Sequence, residues 1–443
     1  MNTRQGLLAF LCALAPALAI PEPWRVETER FSATFSEQGL VALEDASGTH
    51  MVGPGELREG VGIHRVEGSH WASAMHALRY TGFEELEGAS VDCTLNVDDA
   101  AGDLAITQRA KAPEPGVWGV QWTIGRIPLE MNVIVPGRSG IKLTHRSPGS
   151  GHEFDYPVGW EAQFVIIEGE GRGFWVWADD VEGRYKRLRV SRGPEGWEIA
   201  LISMNYAPFD GHTACESVVW RLNTYEGDWR VPARRYRAWA EAHLRPTRIE
   251  EQTPAWVKNI RCVIITGVDE ALVTALTKRI EPAGTLLYIP SWRAAGYDRD
   301  YPSYDEPVEG LRNFIAHAHG LGYRVMLHVN YFGCDPLNPL YEHFEPYQLR
   351  SPWGDHEKQW WLWERATPVI RFAYINPAHK PWRELFIARM QTLCMDYAVD
   401  ALHLDQTLCI SNDHNGLMDG VSMLEGNILL HRELREALPH VAL

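Results

Sequence analysis

Residues 381–405, PWRELFIARMQTLCMDYAVDALHLD, decide the fold of the C-terminal part of this chain. A proline opens the segment and apolar residues recur at helical spacing as far as Tyr397. A short apolar run, Ala401 to Asp405, follows. The pattern predicts a helix over 381–397 that leads into a buried strand over 401–405. A helix that leads into a buried strand is the repeating unit of a parallel sheet.

The same alternation extends to both sides of this segment. The predicted strands cover 260–266, 286–290 and 323–329, and the predicted helices cover 271–280, 308–320 and 424–437. Strands that are apolar on both faces, each followed by a helix, indicate a parallel sheet covered by helices. Four such units, with long insertions after the second and third strands, predict the first half of a (β/α)8 TIM barrel. An open doubly wound sheet is the alternative, but residues 266–269 after the first strand lack the Gly-rich dinucleotide fingerprint.

Residues 21 to about 225 have a different pattern, with short alternating strands separated by Gly, Pro, Asn and Asp. One example is a hairpin with strands over 160–167 and 174–178. Many strands without an intervening helix predict a large N-terminal antiparallel β-sandwich. The predicted domains are a signal peptide over 1–19, the β-sandwich over 20–230, a connecting helix and linker over 231–254, and the partial barrel, strands one to four, over 255–443.

The N-terminus carries an export signal. Arg4 precedes an apolar run that ends in Ala17-Leu18-Ala19, which is typical of a secretory signal peptide cleaved after Ala19. We therefore expect a secreted or periplasmic protein, and no later segment has the roughly twenty apolar residues of a membrane span. The net charge of −16 argues against a nucleic-acid partner. The sequence does not indicate an oligomeric state.

No cofactor and no metal are predicted. The six cysteines beyond the signal are scattered without CxxC spacing, and no HExxH motif occurs. Disulfides are permitted in an exported protein, but Cys262 and Cys394 lie in apolar stretches, where a buried free thiol is the favoured interpretation. A metal bound by the numerous histidines is a minor alternative.

Asp405 is the best candidate catalytic carboxylate, because active groups of barrel enzymes stand at the carboxyl ends of strands. His403 lies two residues earlier, so its side chain points to the same face and could support Asp405. The alternative is that Asp405 only caps the next helix, but that helix is predicted to begin far downstream, near Leu424. Catalysis is the favoured interpretation.

Further polar and aromatic residues follow the predicted strands and are candidate substrate contacts. They are Trp292, Arg293, Tyr297 and Asp298 after strand two, Asn330, Tyr331 and Asp335 after strand three, and Asp413, His414 and Asn415 after strand four. The last three could equally be turn residues. Eighteen Trp and sixteen Tyr suggest surfaces for stacking sugar rings, although core packing is the more common use of any single Trp.

Three passages carry a family resemblance: Tyr374-Ile375-Asn376-Pro377, Pro381-Trp382-Arg383 and residues 397–405. They resemble secreted glycoside hydrolases with an N-terminal sandwich, of the α-galactosidase and endo-α-N-acetylgalactosaminidase type, and most closely a bacterial glycosidase-like domain family of unknown activity. The resemblance covers mainly residues 225 to 430. It implies that Asp405 matches the strand-four nucleophile of retaining α-glycosidases. Ala401 departs from the usual Gly, and the strand-six proton donor has no counterpart before the sequence ends.

The sequence therefore predicts a retaining-type glycoside hydrolase that acts on an oligosaccharide or polysaccharide. A full barrel needs roughly two hundred more residues, so the sequence is expected to be a fragment or a half-barrel completed by a partner. Without the proton donor we expect little hydrolysis by the chain as it stands. The competing hypothesis is a non-catalytic carbohydrate-binding or scaffold protein with a vestigial half-barrel.

Overall fold

The structure is a computed structural model that describes residues 23–53, 57, 59–149, 151–193, 195–246, 248–363, 366 and 368–443. The predicted signal peptide lies outside the described residues. The N-terminal strands, numbered in chain order, are β1 (Trp24–Glu27), β2 (Phe31–Ser36), β3 (Gly39–Asp45), β4 (His50–Val52), β5 (Val61–Arg65), β6 (Gly68–Trp71), β7 (Ala74–His76), β8 (Arg79–Thr81), β9 (Ser90–Asp98), β10 (Asp103–Lys111), β11 (Val117–Ile127), β12 (Asn132–Val135), β13 (Ile141–Leu143), β14 (His152–Tyr156), β15 (Phe164–Glu168), β16 (Arg172–Asp179), β17 (Lys186–Gly193), β18 (Gly196–Met204), β19 (Ala214–Glu216) and β20 (Val219–Glu226).

These strands form two ten-stranded sheets packed into a β-sandwich. The first sheet has the order β1-β2-β3-β11-β18-β17-β14, with β4, β5 and β6 beside it, and the second has the order β13-β12-β15-β16-β20-β10-β9-β8-β7, with β19 beside it. The predicted hairpin is β15 with β16, where Ile167 pairs with Phe174. Its first strand starts later than predicted, since Trp160 is a buried residue whose indole donates to the carbonyl of Phe164 at 2.8 Å.

Alternating apolar side chains from both sheets fill the space between them, and Trp160, Trp197 and Trp220 are fully buried there. Much of the high tryptophan content thus serves core packing. The outer face of the second sheet is covered by helix α1 (Arg230–His243), which packs Tyr236 and Trp239 against it. The predicted polar linker contains a short helix, α2 (Ile249–Gln252), before a 3-10 turn at Ala255–Asn259.

The C-terminal part is an α/β domain with a four-stranded parallel sheet. Its elements are β21 (Cys262–Ile265), α3 (Glu270–Leu276), β22 (Thr285–Ile289), α4 (Leu311–Leu321), β23 (Arg324–Asn330), α6 (Lys380–Tyr397), β27 (Ala401–Asp405) and α7 (Met423–Ala437). The sheet order is β21-β22-β23-β27, so each strand pairs with the next one along this series. Apolar residues on one face of the sheet pack against the helices.

Two further features belong to this domain. Between β23 and α6 the chain forms a helix α5 (Tyr341–Phe344) and a small antiparallel sheet of β24 (Gly333–Cys334), β25 (Trp360–Trp363) and β26 (Ile370–Tyr374). Beyond α7, Ala442 forms a parallel bridge with Ala401, so the last residues lie along the free edge of β27.

The sandwich and the α/β domain share one apolar cluster, which includes Ile202 and Phe209 of the sandwich. Asn412, in the loop after β27, also joins them. Its side-chain oxygen accepts from the Ala207 amide at 3.0 Å, and its amide donates to the Asn205 carbonyl at 2.8 Å. The loop that follows Asp405 is therefore fixed against the sandwich.

The six cysteines of the described chain are free thiols. Cys394 is buried as expected, whereas Cys262 is only half-buried because β21 is an edge strand. In the part of the chain that the structure describes, no helix combines the length and apolar character needed to cross a membrane.

Candidate active site

The carboxyl ends of the third and fourth parallel strands carry the same pattern, a histidine two residues before a polar side chain. β23 ends His-Val-Asn and β27 ends His-Leu-Asp. The two strands pair in register, so His328 lies beside His403 and Asn330 beside Asp405. Alternate residues of a strand point to one face, and here the residues between them pack against the helices. The four polar side chains therefore share the face of the sheet opposite the helices.

Tyr288 on β22 completes a cluster with the two histidines. Its hydroxyl lies 2.8 Å from His328 Nδ1 and 3.4 Å from His403 Nδ1, and the two Nδ1 atoms are 3.2 Å apart. Burial, followed by the charge of Asp405, raises the pKa of Tyr288 to about 12, so the phenol keeps its proton at neutral pH. Burial and the neighbouring His328 lower the pKa of His403, while Asp405 opposes this shift. His403 is therefore a neutral hydrogen-bonding group at neutral pH.

Two carboxylates face the other nitrogen of His328. Its Nε2 atom lies 3.6 Å from Asp298 Oδ1 and 4.0 Å from Asp405 Oδ2. This nitrogen is buried and has no hydrogen-bond partner among the described residues. Asp298 is buried and accepts from the Tyr301 hydroxyl at 2.9 Å, whereas the Asp405 side chain is 29% exposed. The imidazole of His328 thus lies between a buried carboxylate, Asp298, and a partly solvent-exposed one, Asp405.

Aromatic rings form the rim beside this open carboxylate. The Tyr297 ring lies 4.8 Å from the ring of His328 and meets Trp363 edge to face at 5.8 Å. Trp363, at the end of β25, is 42% exposed, and Trp361 on the same strand stacks on Phe372 at 4.8 Å. A half-open aromatic rim next to a few convergent polar groups is the usual composition of a small-molecule site.

Gln406, directly after Asp405, turns the chain away from the strand. Its φ of 67° lies in the left-handed region, which is uncommon for a residue with a side chain. The Gln406 side-chain oxygen accepts from the Tyr374 hydroxyl at 2.5 Å and from Cys409 Sγ at 3.1 Å. These bonds hold the backbone that follows the candidate nucleophile.

Trp292 and Arg293, which were predicted to contact substrate, are buried and bind backbone groups beside the site instead. Trp292 is fully buried, and its indole nitrogen donates to the His328 carbonyl at 2.7 Å. Its indole therefore offers no surface to a ligand in this structure. Arg293 is also buried, donates to backbone carbonyls of its own loop, and lies 4.0 Å over the Tyr301 ring.

Of the substrate contacts predicted after strand three, Asn330 and Asp335 accept hydrogen bonds from backbone amides of the loops. Asn330 accepts from the amides of residues 332 and 333 at 3.1 and 2.6 Å. Asp335 accepts from the Asp300 amide at 2.7 Å and so joins the loops after β22 and β23. Tyr331 is fully buried.

The predicted contacts after strand four make no contact with the Tyr288, His328 and His403 cluster among the hydrogen bonds of the described residues. Asp413 is buried and accepts from the Arg350 amide and from Asn376 Nδ2, both at 2.8 Å. Burial raises the pKa of Asp413. His414 stacks on His356 with ring centroids 3.6 Å apart, and Asn415 donates to the Gln348 carbonyl at 2.9 Å. In this structure the three residues fix the loop.

Asp405 does not cap the following helix. The N-cap of α7 is Ser422, whose hydroxyl accepts from the Glu425 amide at 3.2 Å. Among the residues with described positions, no group of three or more His, Cys, Asp or Glu side chains could hold a metal ion.

Four residues around Asp405 were not predicted as site residues: Tyr288, His328, Tyr374 and Gln406. For His328 a signal existed. The His-x-Asn of the third strand and the His-x-Asp of the fourth occupy the same place in two consecutive strand-helix units. Tyr374, at the end of β26 in the inserted sheet, belongs to the Tyr374-Ile375-Asn376-Pro377 passage of the family resemblance, but its place beside Gln406 had no sequence signal.

The comparisons with known proteins agree with this architecture. A family model described as "Domain of unknown function (DUF6259)" matches residues 216–416. No curated protein matches the sequence. Among solved structures, the alpha-N-acetylgalactosaminidase NagBb from Bifidobacterium bifidum in complex with GalNAc is similar, with a TM-score of 0.70 and 13% identity over 94% of this chain and 75% of that one.

The same enzyme in complex with Gal-NHAc-DNJ gives a TM-score of 0.69 at 13% identity, over 95% of this chain and 75% of that one. A GH31 family sulfoquinovosidase from E. rectale, in complex with the aza-sugar inhibitor IFGSQ, gives a TM-score of 0.50 at 11% identity. The match covers 94% of this chain and 64% of that one. At such identities the likeness concerns the fold. The chain has a glycosidase-like fold, a β-sandwich followed by an α/β domain.

Proposed function

We propose that this protein is a retaining-type glycoside hydrolase in which Asp405 is the nucleophile. The observation that carries the proposal is the position of Asp405 at the carboxyl end of a parallel strand, 29% exposed, beside a cluster of the buried His328 with the half-buried Tyr288 and His403. Carboxyl ends of strands are where barrel enzymes place their reacting groups. The glycosidase-like fold supports this choice of reaction.

We interpret the four strand-helix units as the first half of a (β/α)8 barrel. The strand order β21-β22-β23-β27 supports this, since a doubly wound sheet reverses its order at a switch point. The bridge from Ala442 to Ala401 adds support, because it lies where a fifth parallel strand would pair.

The proposed reaction has two steps. A carboxylate oxygen of Asp405 attacks the anomeric carbon, and the bond from that carbon to the leaving oxygen breaks while a general acid protonates the leaving oxygen. Water then attacks the anomeric carbon of the glycosyl ester, loses its proton to the same group and frees Asp405. His403 supports the site by hydrogen bonding. Asp405 of this chain is thus the nucleophile of the first step and the leaving group of the second.

We propose an oligosaccharide or polysaccharide as the substrate. Trp363 and Tyr297 offer aromatic surface at the rim, and a sugar ring packed there would lie beside Asp405. Galactose- and N-acetylgalactosamine-configured α-glycosides are the first substrates to test, because a similar structure is that of an alpha-N-acetylgalactosaminidase.

The test uses 2,4-dinitrophenyl α- and β-glycosides, whose leaving group departs without a proton donor. We expect release of dinitrophenol by the wild-type chain from one anomeric series, and a loss of at least about a thousandfold in Asp405→Asn. A 2-deoxy-2-fluoro glycoside should add its sugar mass to the peptide that contains Asp405. Equal turnover by wild type and Asp405→Asn would refute the assignment.

Asp419→Asn is the matched control, since Asp419 is an exposed carboxylate in the same loop. It should hydrolyse at the wild-type rate. Saturable binding of methyl glycosides without turnover of any aryl glycoside would favour the non-catalytic carbohydrate-binding alternative instead.

We further propose that the protein is exported, on the basis of the Arg4-led apolar segment and the Ala17-Leu18-Ala19 pattern. Expression in a secreting host followed by N-terminal sequencing tests this. The expected first residue is Ile20, and a chain that keeps its first nineteen residues inside the cell would contradict it.

A further inference from the structure

We propose that His328 is a positioning residue: its Nε2 carries a proton that faces the Asp298 and Asp405 carboxylates, and the Tyr288 hydroxyl fixes this tautomer by donating to Nδ1. The consequences for rate rest on the proposed function of Asp405. The assignment of the tautomer does not, because it follows from the packing alone.

The distances around Tyr288 show which of the two imidazoles its hydroxyl binds more closely. A phenol has one proton, and its oxygen is closer to His328 Nδ1, at 2.8 Å, than to His403 Nδ1, at 3.4 Å. In the proposed arrangement Tyr288 donates to His328 Nδ1 and can accept from His403. Since Nδ1 of His328 then uses its lone pair, the proton of the neutral imidazole is on Nε2.

The surroundings of Nε2 favour the same assignment. A lone pair on this nitrogen would face two carboxylate oxygens, at 3.6 and 4.0 Å, whereas an N–H is attracted to both. Both distances are too long for a hydrogen bond, and Nε2 is buried without a partner among the described residues. Catalytic hydrogen bonds are often long without substrate and shorten in the complex.

This proton has a consequence for the nucleophile. The titratable groups that face His328 are Tyr288, Tyr297, Asp298, His403 and Asp405. Two carboxylates around one buried point repel each other, so one tends to take up a proton. The Nε2–H lies between the Asp298 and Asp405 carboxylates and offsets their mutual repulsion.

The first experiment measures the tautomer without any substrate. In the uniformly 15N-labelled full chain, long-range 1H–15N spectra distinguish the two neutral tautomers, and His328→Gln assigns the signal. We expect a neutral Nε2–H form in the wild type and a mixed population in Tyr288→Phe. An Nδ1–H form, two protonated nitrogens, or a tautomer unchanged in Tyr288→Phe would overturn the inference.

The second experiment measures the pH dependence of kcat/KM on dinitrophenyl glycosides. His328→Leu should lose about 10- to 100-fold in kcat, with KM little changed, because a reacting group misplaced by about 1 Å costs up to about a hundredfold in rate. The acid limb of the profile should move to higher pH, because an N–H that faces the carboxylate is lost. His328→Gln, whose amide can donate from near the Nε2 position, should recover part of the rate.

His317→Gln is the control, since His317 lies on α4 and bonds Thr274 away from the cluster. Melting curves check that each variant folds. If Asp405→Asn stays active, the proposed function fails while the tautomer result stands. If Asp405→Asn is inactive but His328→Leu keeps the wild-type pH profile, only the role of His328 fails.

Discussion

Asp400 and His319 form a hydrogen bond directly before β27, with Oδ2 and Nε2 2.6 Å apart. Asp400 also accepts from the Arg324 side chain at 2.7 Å and from the Val325 amide at 2.9 Å. Burial alone would raise the pKa of Asp400, but the bonds from His319, Val325 and Arg324 outweigh burial and lower it. The carboxylate therefore ties β27 to β23 and α4.

Asp400→Asn should destabilise the protein by about 2 kcal/mol at pH 7, because it removes charge-assisted hydrogen bonds from a buried carboxylate. A folded-state pKa below the unfolded one gives stability that is present above the unfolded value, about 3.9, and is lost as the pH falls through the folded value. The difference between the two proteins should thus shrink at acid pH. Urea titrations at pH 7 and pH 3 measure it, and an equal difference at both would contradict this account.

Tyr374→Phe should reduce kcat on dinitrophenyl glycosides by about tenfold, as is typical when a residue behind the reacting group is lost. The reason is that the Tyr374 hydroxyl holds Gln406, which has a left-handed backbone directly after Asp405. Steady-state kinetics of the full chain test this. Tyr347→Phe is the control, since Tyr347 stacks on His379 instead; equal losses in both variants would argue against a role for the Gln406 bond.

Trp363→Ala should raise KM about three- to tenfold and leave kcat nearly unchanged, since an exposed rim indole contributes ground-state stacking of roughly 0.5–1.5 kcal/mol. Trp24→Ala is the matched control, because Trp24 is 46% exposed on the first strand of the sandwich. Initial rates over a range of glycoside concentrations provide both constants. A fall in kcat with unchanged KM would place Trp363 among the groups that act on the transition state.

Gly426→Ala should destabilise the protein by about 1–3 kcal/mol, although alanine ordinarily favours a helix over glycine. Gly426 lies in α7, and a Cβ atom there would overlap the backbone of Pro377 and Ala378. Gly320→Ala, in α4, has open space around the new methyl group and should be neutral or stabilising. Thermal melts compare the two, and a stable Gly426→Ala would mean that the helix can shift away from the turn.

The regular elements of the α/β domain were predictable from the sequence. The strand Ala401–Asp405 has the predicted bounds, and α6 starts one residue before the predicted helix. The first strand, predicted over 260–266, covers only Cys262–Ile265. Apolar runs indicate burial, but the length of a strand depends on how many backbone groups find a partner on the neighbouring strand.

The position of Asp405 after an apolar strand was thus encoded locally, because side-chain alternation and strand ends are properties of a short segment. Its surroundings were not. Tyr288 and His403 are 115 residues apart, and they meet only because parallel strands in register bring their carboxyl ends to one edge. Some predicted site residues face that edge, whereas others, such as Trp292, are buried behind it. This difference depends on loop backbones and packing, which involve contacts between distant parts of the chain.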